Sequence, residues 1–166
     1  MTEETTERTL TGKELLEREG DAAADYLEGL LDIIDLDGDI EMDVDGNRAV
    51  VTVVEANGGE LGHLVGPEGR VLDALQELAR LAATRETGER SRLMLDVAGF
   101  RAARKEDLVR LGQEAVAEAT RTGAPVRMEP MTAYERKIVH DVIAEAGLVS
   151  ESEGEDPQRR VVVRTA

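Results

Sequence analysis

Apolar positions recur along this chain at two spacings, and the switches between them divide it into elements. From Asp21, a residue suited to cap a helix, Ala22, Ala23, Tyr26, Leu27, Leu30, Leu31 and Ile34 repeat with helical period, and Gly38 closes the run. Period two follows. Ile40, Met42 and Val44 alternate with acidic residues, and Ala49, Val51 and Val53 alternate beyond Asp45-Gly46-Asn47, which predicts a hairpin with one buried face. Residues 56–60, ANGGE, read as a loop. Leu61, Leu64 and Val65 make a short helical turn ahead of Gly66-Pro67-Glu68-Gly69. After it, Val71, Leu72, Leu75, Leu78, Ala79 and Ala82 form one apolar stripe on a longer helix that Thr87-Gly88 ends. Leu93, Leu95 and Val97 predict a third strand, with Met94 and Asp96 on its other face.

A second unit begins at Gly99. Leu108, Leu111, Ala115 and Ala119 keep helical spacing up to Gly123, and residues 125–131 read as a short strand or extended link. Thr132 and Glu135 form a T-x-x-E capping box that opens a helix to Ala146, with Gly147 as its stop. Its apolar face is Ile138, Val139, Val142 and Ala146. Residues 148–153 and 159–164 are expected as strands around a turn-rich loop. At the other end, residues 1–12 lack any apolar period, and 1–19 are expected to be an acidic, disordered tail in which Leu15 and Leu16 offer one helical turn. The expected organisation is therefore a tail (1–19), a first α+β domain (20–98) and a second (99–166).

Composition narrows the chemistry. The 166 residues contain no cysteine, which removes disulfides, thiolate catalysis and Cys-based zinc sites, and two histidines are too few for a His-rich metal centre. No metal or cofactor is expected. Tyr26, Tyr134 and Phe100 are the whole aromatic complement, so the core must be aliphatic and base stacking on an aromatic platform is not expected. No stretch suits a bilayer span or a secretion signal, and the chain reads as cytoplasmic, without membrane insertion. The net charge is −16. Its distribution is uneven: residues 1–65 hold 4 basic and 18 acidic side chains, net −14, whereas 66–140 hold 13 and 12, net +1. The plain reading of this charge is a solubilising surface, and any RNA affinity is expected to be modest and salt-sensitive.

Two motifs carry candidate chemistry. The glycines of Gly66-Pro67-Glu68-Gly69 lack Cβ atoms, so a ribose-phosphate chain can lie against the loop, and the N–H groups opening the next helix favour an anion. A dinucleotide-binding loop would need glycine at Leu64. A Walker loop would need Lys-Ser/Thr where Arg70-Val71 stand. What remains is the G-x-x-G of a K-homology (KH) domain, which clamps single-stranded backbone. Gly66, Pro67, Glu68, Gly69 and Arg70 are its candidate contacts. In the capped helix Arg136 and His140, four residues apart, share the rim of the apolar face, and Arg101, Arg104 and Lys105 are a candidate extension of the binding groove. His63 reads as structural. His140 with Glu135 or Asp141 can be drawn as an acid–base pair, but no nucleophile or metal set accompanies it, and no enzyme is expected.

The element order α-β-β-α-GxxG-α-β resembles a type II KH domain, and Arg136-x-x-x-His140 resembles the signature of an R-three-H domain. In tandem, and with the stretches ETGERSRLMLDV, MEPMTAYERKIVHD and SESEGEDPQRRVVV, residues 20–164 resemble the Jag/KhpB family, the SpoIIIJ-associated RNA-binding proteins. The resemblance implies a post-transcriptional regulator or RNA chaperone. It implies single-stranded RNA as ligand, single-stranded DNA as a further candidate for the R-three-H domain, and a small single-KH (KhpA-like) protein as partner. It also implies links to cell division, cell shape and sporulation. Longer members carry an N-terminal Jag domain and linker, where this chain has a short acidic tail. Family loops often carry a basic residue, whereas Glu68 turns a carboxylate toward phosphate and leaves backbone N–H groups and Arg70 to hold it. The competing reading is an acidic protein-interaction module whose hairpin and tail meet a basic partner, with RNA binding vestigial.

Overall fold

Two compact units divide between Phe100 and Arg101. The computed structural model describes residues 11–56 and 60–166, so most of the expected tail and positions 57–59 of the ANGGE loop lie outside the described residues. In the first unit α1 (Gly12–Ile34) precedes an antiparallel pair, β1 (Gly38–Asp45) and β2 (Arg48–Glu55). Then come α2 (Gly62–Val65), a single 3₁₀ turn (Pro67–Gly69), α3 (Arg70–Thr87) and β3 (Met94–Val97). Strand β2 is central, antiparallel to β1 with Ile40 opposite Val53, and parallel to β3 with Val51 opposite Leu95. Parallel neighbours require a crossover. Here the crossover is α2, the glycine loop and α3, which keeps the loop beside the sheet.

The first core is aliphatic, as expected. Ala23, Leu27 and Leu31 of α1 and Leu72, Leu75 and Ala79 of α3 bury against Val51, Val53, Leu95 and Val97, with Leu61, Leu64 and Val65 filling one end. Three expectations need correcting. Residues 12–19 are helical, not tail: Thr11 and Glu14 form a capping box that starts α1 well before Asp21. A buried Glu19, accepting from Ser91 Oγ at 2.9 Å, ties that early part to the segment before β3. On α3 the buried stripe is Leu72, Leu75, Ala79 and Ala83, so Val71 and Leu78 turn outward beside exposed Leu81. On β1 Met42 and Val44 are exposed, because β1 is the sheet's edge and the helices cover its far end poorly.

The second unit runs α4 (Phe100–Thr122), β4 (Val126–Arg127), α5 (Ala133–Glu145), β5 (Val149–Glu153) and β6 (Arg160–Arg164), with strand order β4-β6-β5, all antiparallel. Leu108, Ala115 and Ala119 of α4 and Val139 and Ile143 of α5 bury against Val161 and Val163. Helix α4 meets α5 at Gly112, where an added Cβ would stand 3.0 Å from Val142 Cγ1. The capping box at Thr132 and Glu135 is present. The core face of α5 is set by Arg136, Val139 and Ile143, while Ala146, expected inside, is exposed. Among the described residues no helix is long and apolar enough to cross a membrane.

Candidate nucleic-acid interface

The glycine loop is built from inside. Gly66 ends α2 with φ +68°, and Gly69 opens α3 with φ +76°, a left-handed region that costs other residues about 1 kcal/mol. A Cβ on Gly66 would collide with the Val71 side chain, and one on Gly69 would stand 2.7 Å from the Phe100 ring. Both glycines are thus required by the protein's own packing, whatever lies against the loop from outside. Their missing Cβ atoms make room for the protein's own Val71 and Phe100. The outward tip is Pro67 and Glu68, both exposed, and Glu68 itself sits at φ +55°. Gly69 N–H donates to the Gly66 carbonyl at 3.2 Å, which fixes the turn. Behind it begins α3, whose first N–H, that of Arg70, donates to the Pro67 carbonyl of the preceding turn. Arg70 lies 3.5 Å from Glu68 with both side chains exposed, a pair worth little in solvent. His63, read as structural, is exposed on α2.

The basic run on α4 is divided among other duties. Arg104 Nε donates to Glu135 Oε1 at 2.7 Å, within the second unit, and Arg101 is half-buried. Lys105 is exposed. Burial raises the Glu135 carboxyl, but the Arg104 guanidinium and the Thr132 N–H outweigh it and hold the group below its ordinary value. Arg104 thus helps to seat the start of α5, a role its sequence position does not announce.

Arg136 and His140 come together on α5, yet neither projects freely. Arg136 is 7 % exposed, and its Nη1 donates to the Met131 carbonyl at 2.7 Å and to Asp156 Oδ1 at 2.9 Å. His140 lies over the helix-facing side of β5, with Nδ1 2.6 Å from Ser150 Oγ and Nε2 2.9 Å from Ser152 Oγ. Burial and the Arg136 charge lower its pKa, against a smaller upward pull from Asp141. Sequence reasoning misses Met131, Ser150, Ser152 and Asp156. The two serines do carry a signal, since they sit two apart on a strand and so share a face.

With this geometry in place, comparison with known proteins gives a consistent answer. Residues 21–95 match the family described as KhpA/KhpB, KH domain, and residues 106–165 match the R-three-H domain. A protein of Clostridium symbiosum named RNA-binding protein KhpB is 32 % identical over 144 residues, covering 86 % of this chain and 64 % of its own length. Its namesake in Lactiplantibacillus plantarum is 34 % identical over 143 residues, covering 86 % and 44 %, and that of Bacillus subtilis is 33 % identical over 103 residues, covering 60 % and 50 %. The chain belongs to the KhpB family. It spans about half to two thirds of the length of these relatives. The first unit is thus a KH domain and the second an R-three-H domain.

Proposed function

We propose that this KhpB-family chain binds single-stranded RNA without catalysing a reaction. The KH unit clamps backbone at Gly66, Pro67, Glu68, Gly69 and Arg70, and the R-three-H unit adds a contact at Arg136 and His140. Lys105, with Arg101 and Arg104 behind it, extends the second contact. The carrying observation is the helix–GxxG–helix: a tight turn whose two glycines leave room for the Val71 and Phe100 side chains, with Pro67, Glu68 and Arg70 exposed at its tip. The relatives named RNA-binding protein support the ligand class. The Glu68 carboxylate repels phosphate, so affinity is modest and falls with salt.

The test is fluorescence anisotropy with a short mixed-sequence RNA strand at two salt concentrations, and the matched DNA strand beside it. RNA affinity should fall with salt. It should weaken further when Pro67 and Glu68 are both changed to Asp, and again in an Arg136→Ala, His140→Ala variant. A folded wild type that binds no RNA at low salt would sink the reading and favour the acidic interaction module.

The reading includes a protein partner, a small single-KH protein of the KhpA type. Leu78 and Leu81 on α3 are 45 % and 64 % exposed, and with Ala22 and Tyr26 of α1 they line a groove of mixed polarity together with Arg18, Asp21, Asp25 and Arg85. A second KH unit docking there would cover them.

A further inference from the structure

Arg136 has an unusual environment for a residue so deeply placed. A guanidinium stays charged at every ordinary pH, and a buried charge needs partners. Among the described residues this side chain uses one of its three nitrogens: Nη1 makes both protein hydrogen bonds, to Met131 O and Asp156 Oδ1. Nε and Nη2 have no hydrogen-bond partner among those residues. No fully buried side-chain nitrogen goes unpartnered there either, so these two reach the small part of Arg136 that touches solvent. Nε and Nη2 together are the side-on edge of the guanidinium, two parallel N–H groups spaced to meet two oxygens of one phosphate.

The neighbours leave this edge unopposed. His140 has both ring nitrogens on Ser150 and Ser152. Lys137 is engaged with Asp141 at 3.0 Å, and Glu135 with Arg104. We propose that Asp156 is a positioning residue for phosphate recognition in the R-three-H unit: with the Met131 carbonyl it holds Arg136 by Nη1, and so presents the Nε/Nη2 edge to one phosphodiester. The inference rests on the reading of Arg136 as a nucleic-acid contact. It goes further in giving the phosphate contact a defined, two-pronged geometry and in giving an acidic residue a favourable part in binding a polyanion.

Charge alone makes the opposite forecast. Asp156 is exposed on the loop between β5 and β6 of a chain with net charge −16. Removing its carboxylate should then tighten RNA binding through reduced repulsion. If Asp156 orients Arg136, removing it must weaken binding.

The full chain and its Asp156→Ala, Asp156→Asn and Arg136→Lys variants would be titrated against the labelled RNA strand, with thermal melts as folding controls. Expected is about a tenfold loss for Asp156→Ala, the scale of one charge-assisted hydrogen bond. A smaller loss is expected for Asp156→Asn, which keeps an acceptor in place. Arg136→Lys should weaken binding at least as much as Asp156→Ala, because it keeps the charge but not the fork. In the wild type, the Arg136 Nε–H resonance should shift when RNA is added. Unchanged or tighter binding by a folded Asp156→Ala variant overturns the proposal while leaving RNA binding at Arg136 intact. If that variant does not fold, an Nε–H resonance unmoved by saturating RNA overturns it instead. A wild type that binds no RNA overturns the functional reading, and this inference falls with it.

Discussion

At the scale of single residues, the glycines of the KH loop answer to neighbouring side chains of the protein itself, Val71 and Phe100. Gly69→Ala places a Cβ against the Phe100 ring at a positive φ, and should cost about 2 kcal/mol in denaturant unfolding whether or not RNA is present. Loss of RNA binding in such a variant would therefore not identify a contact, and the exposed Pro67 and Glu68 are the better probes. His140 offers a second test. Its pKa is lowered from an ordinary 6.5 in the fold, so above that value it is neutral in both folded and unfolded chains and contributes no slope. As pH falls through 6.5 the unfolded chain takes up the proton first, and stability drains until the folded pKa is passed. Urea midpoints at about pH 7.5 and about pH 5.5 should therefore converge more closely in His140→Gln than in wild type. The Arg136–His140 pair is legible in the sequence because helical spacing puts i and i+4 together. Its partners are not, since Asp156 stands far along the chain on a loop with no period to reveal where it folds back.

At the scale of elements, the same four-residue signature opens two helices. Thr132-x-x-Glu135 announces α5. Thr11-x-x-Glu14 is equally present, but the acidic stretch around it masks the start of α1. Thr132→Ala should cost about 1 kcal/mol in a denaturant melt, as other lost N-caps do. The strands and the helix–GxxG–helix unit follow from periodicity and turn residues. Which half of a broad apolar stripe faces the core does not. On α3 Val71, Leu78 and Leu81 stand beside the buried Leu72, Leu75 and Ala79, and only the packed sheet and α1 decide between them. Edge strand β1 shows the complementary economy, with Asp39, Glu41, Asp43 and Asp45 discouraging unwanted pairing along its open side.

At the scale of the molecule, two separate cores lie in one chain, each with helices on a three-stranded sheet. The outward stripe of α3 belongs to this scale, because the proposed partner would cover exposed Leu78 and Leu81 in a groove of mixed polarity. Leu78→Glu should abolish co-elution with a KhpA-like partner on size exclusion, and should leave the melting temperature nearly unchanged because Leu78 is outside the core. Co-elution unaffected by Leu78→Glu would move the partner elsewhere. The uneven charge has its own signature. A net of −14 in residues 1–65 against +1 in 66–140 means that added salt relieves repulsion within the chain while it screens RNA.

The inward-looking glycines carry one last consequence. Because the glycines are required by Val71 and Phe100 while the Glu68 side chain is exposed, the charge at the tip can be exchanged without touching the packed part of the loop. Pro67 and Glu68 act as a dial. On the proposed reading of the loop as an RNA clamp, replacing Glu68 by lysine turns a repelling tip into an attracting one, so a single base change in the coding sequence should be enough to raise RNA affinity.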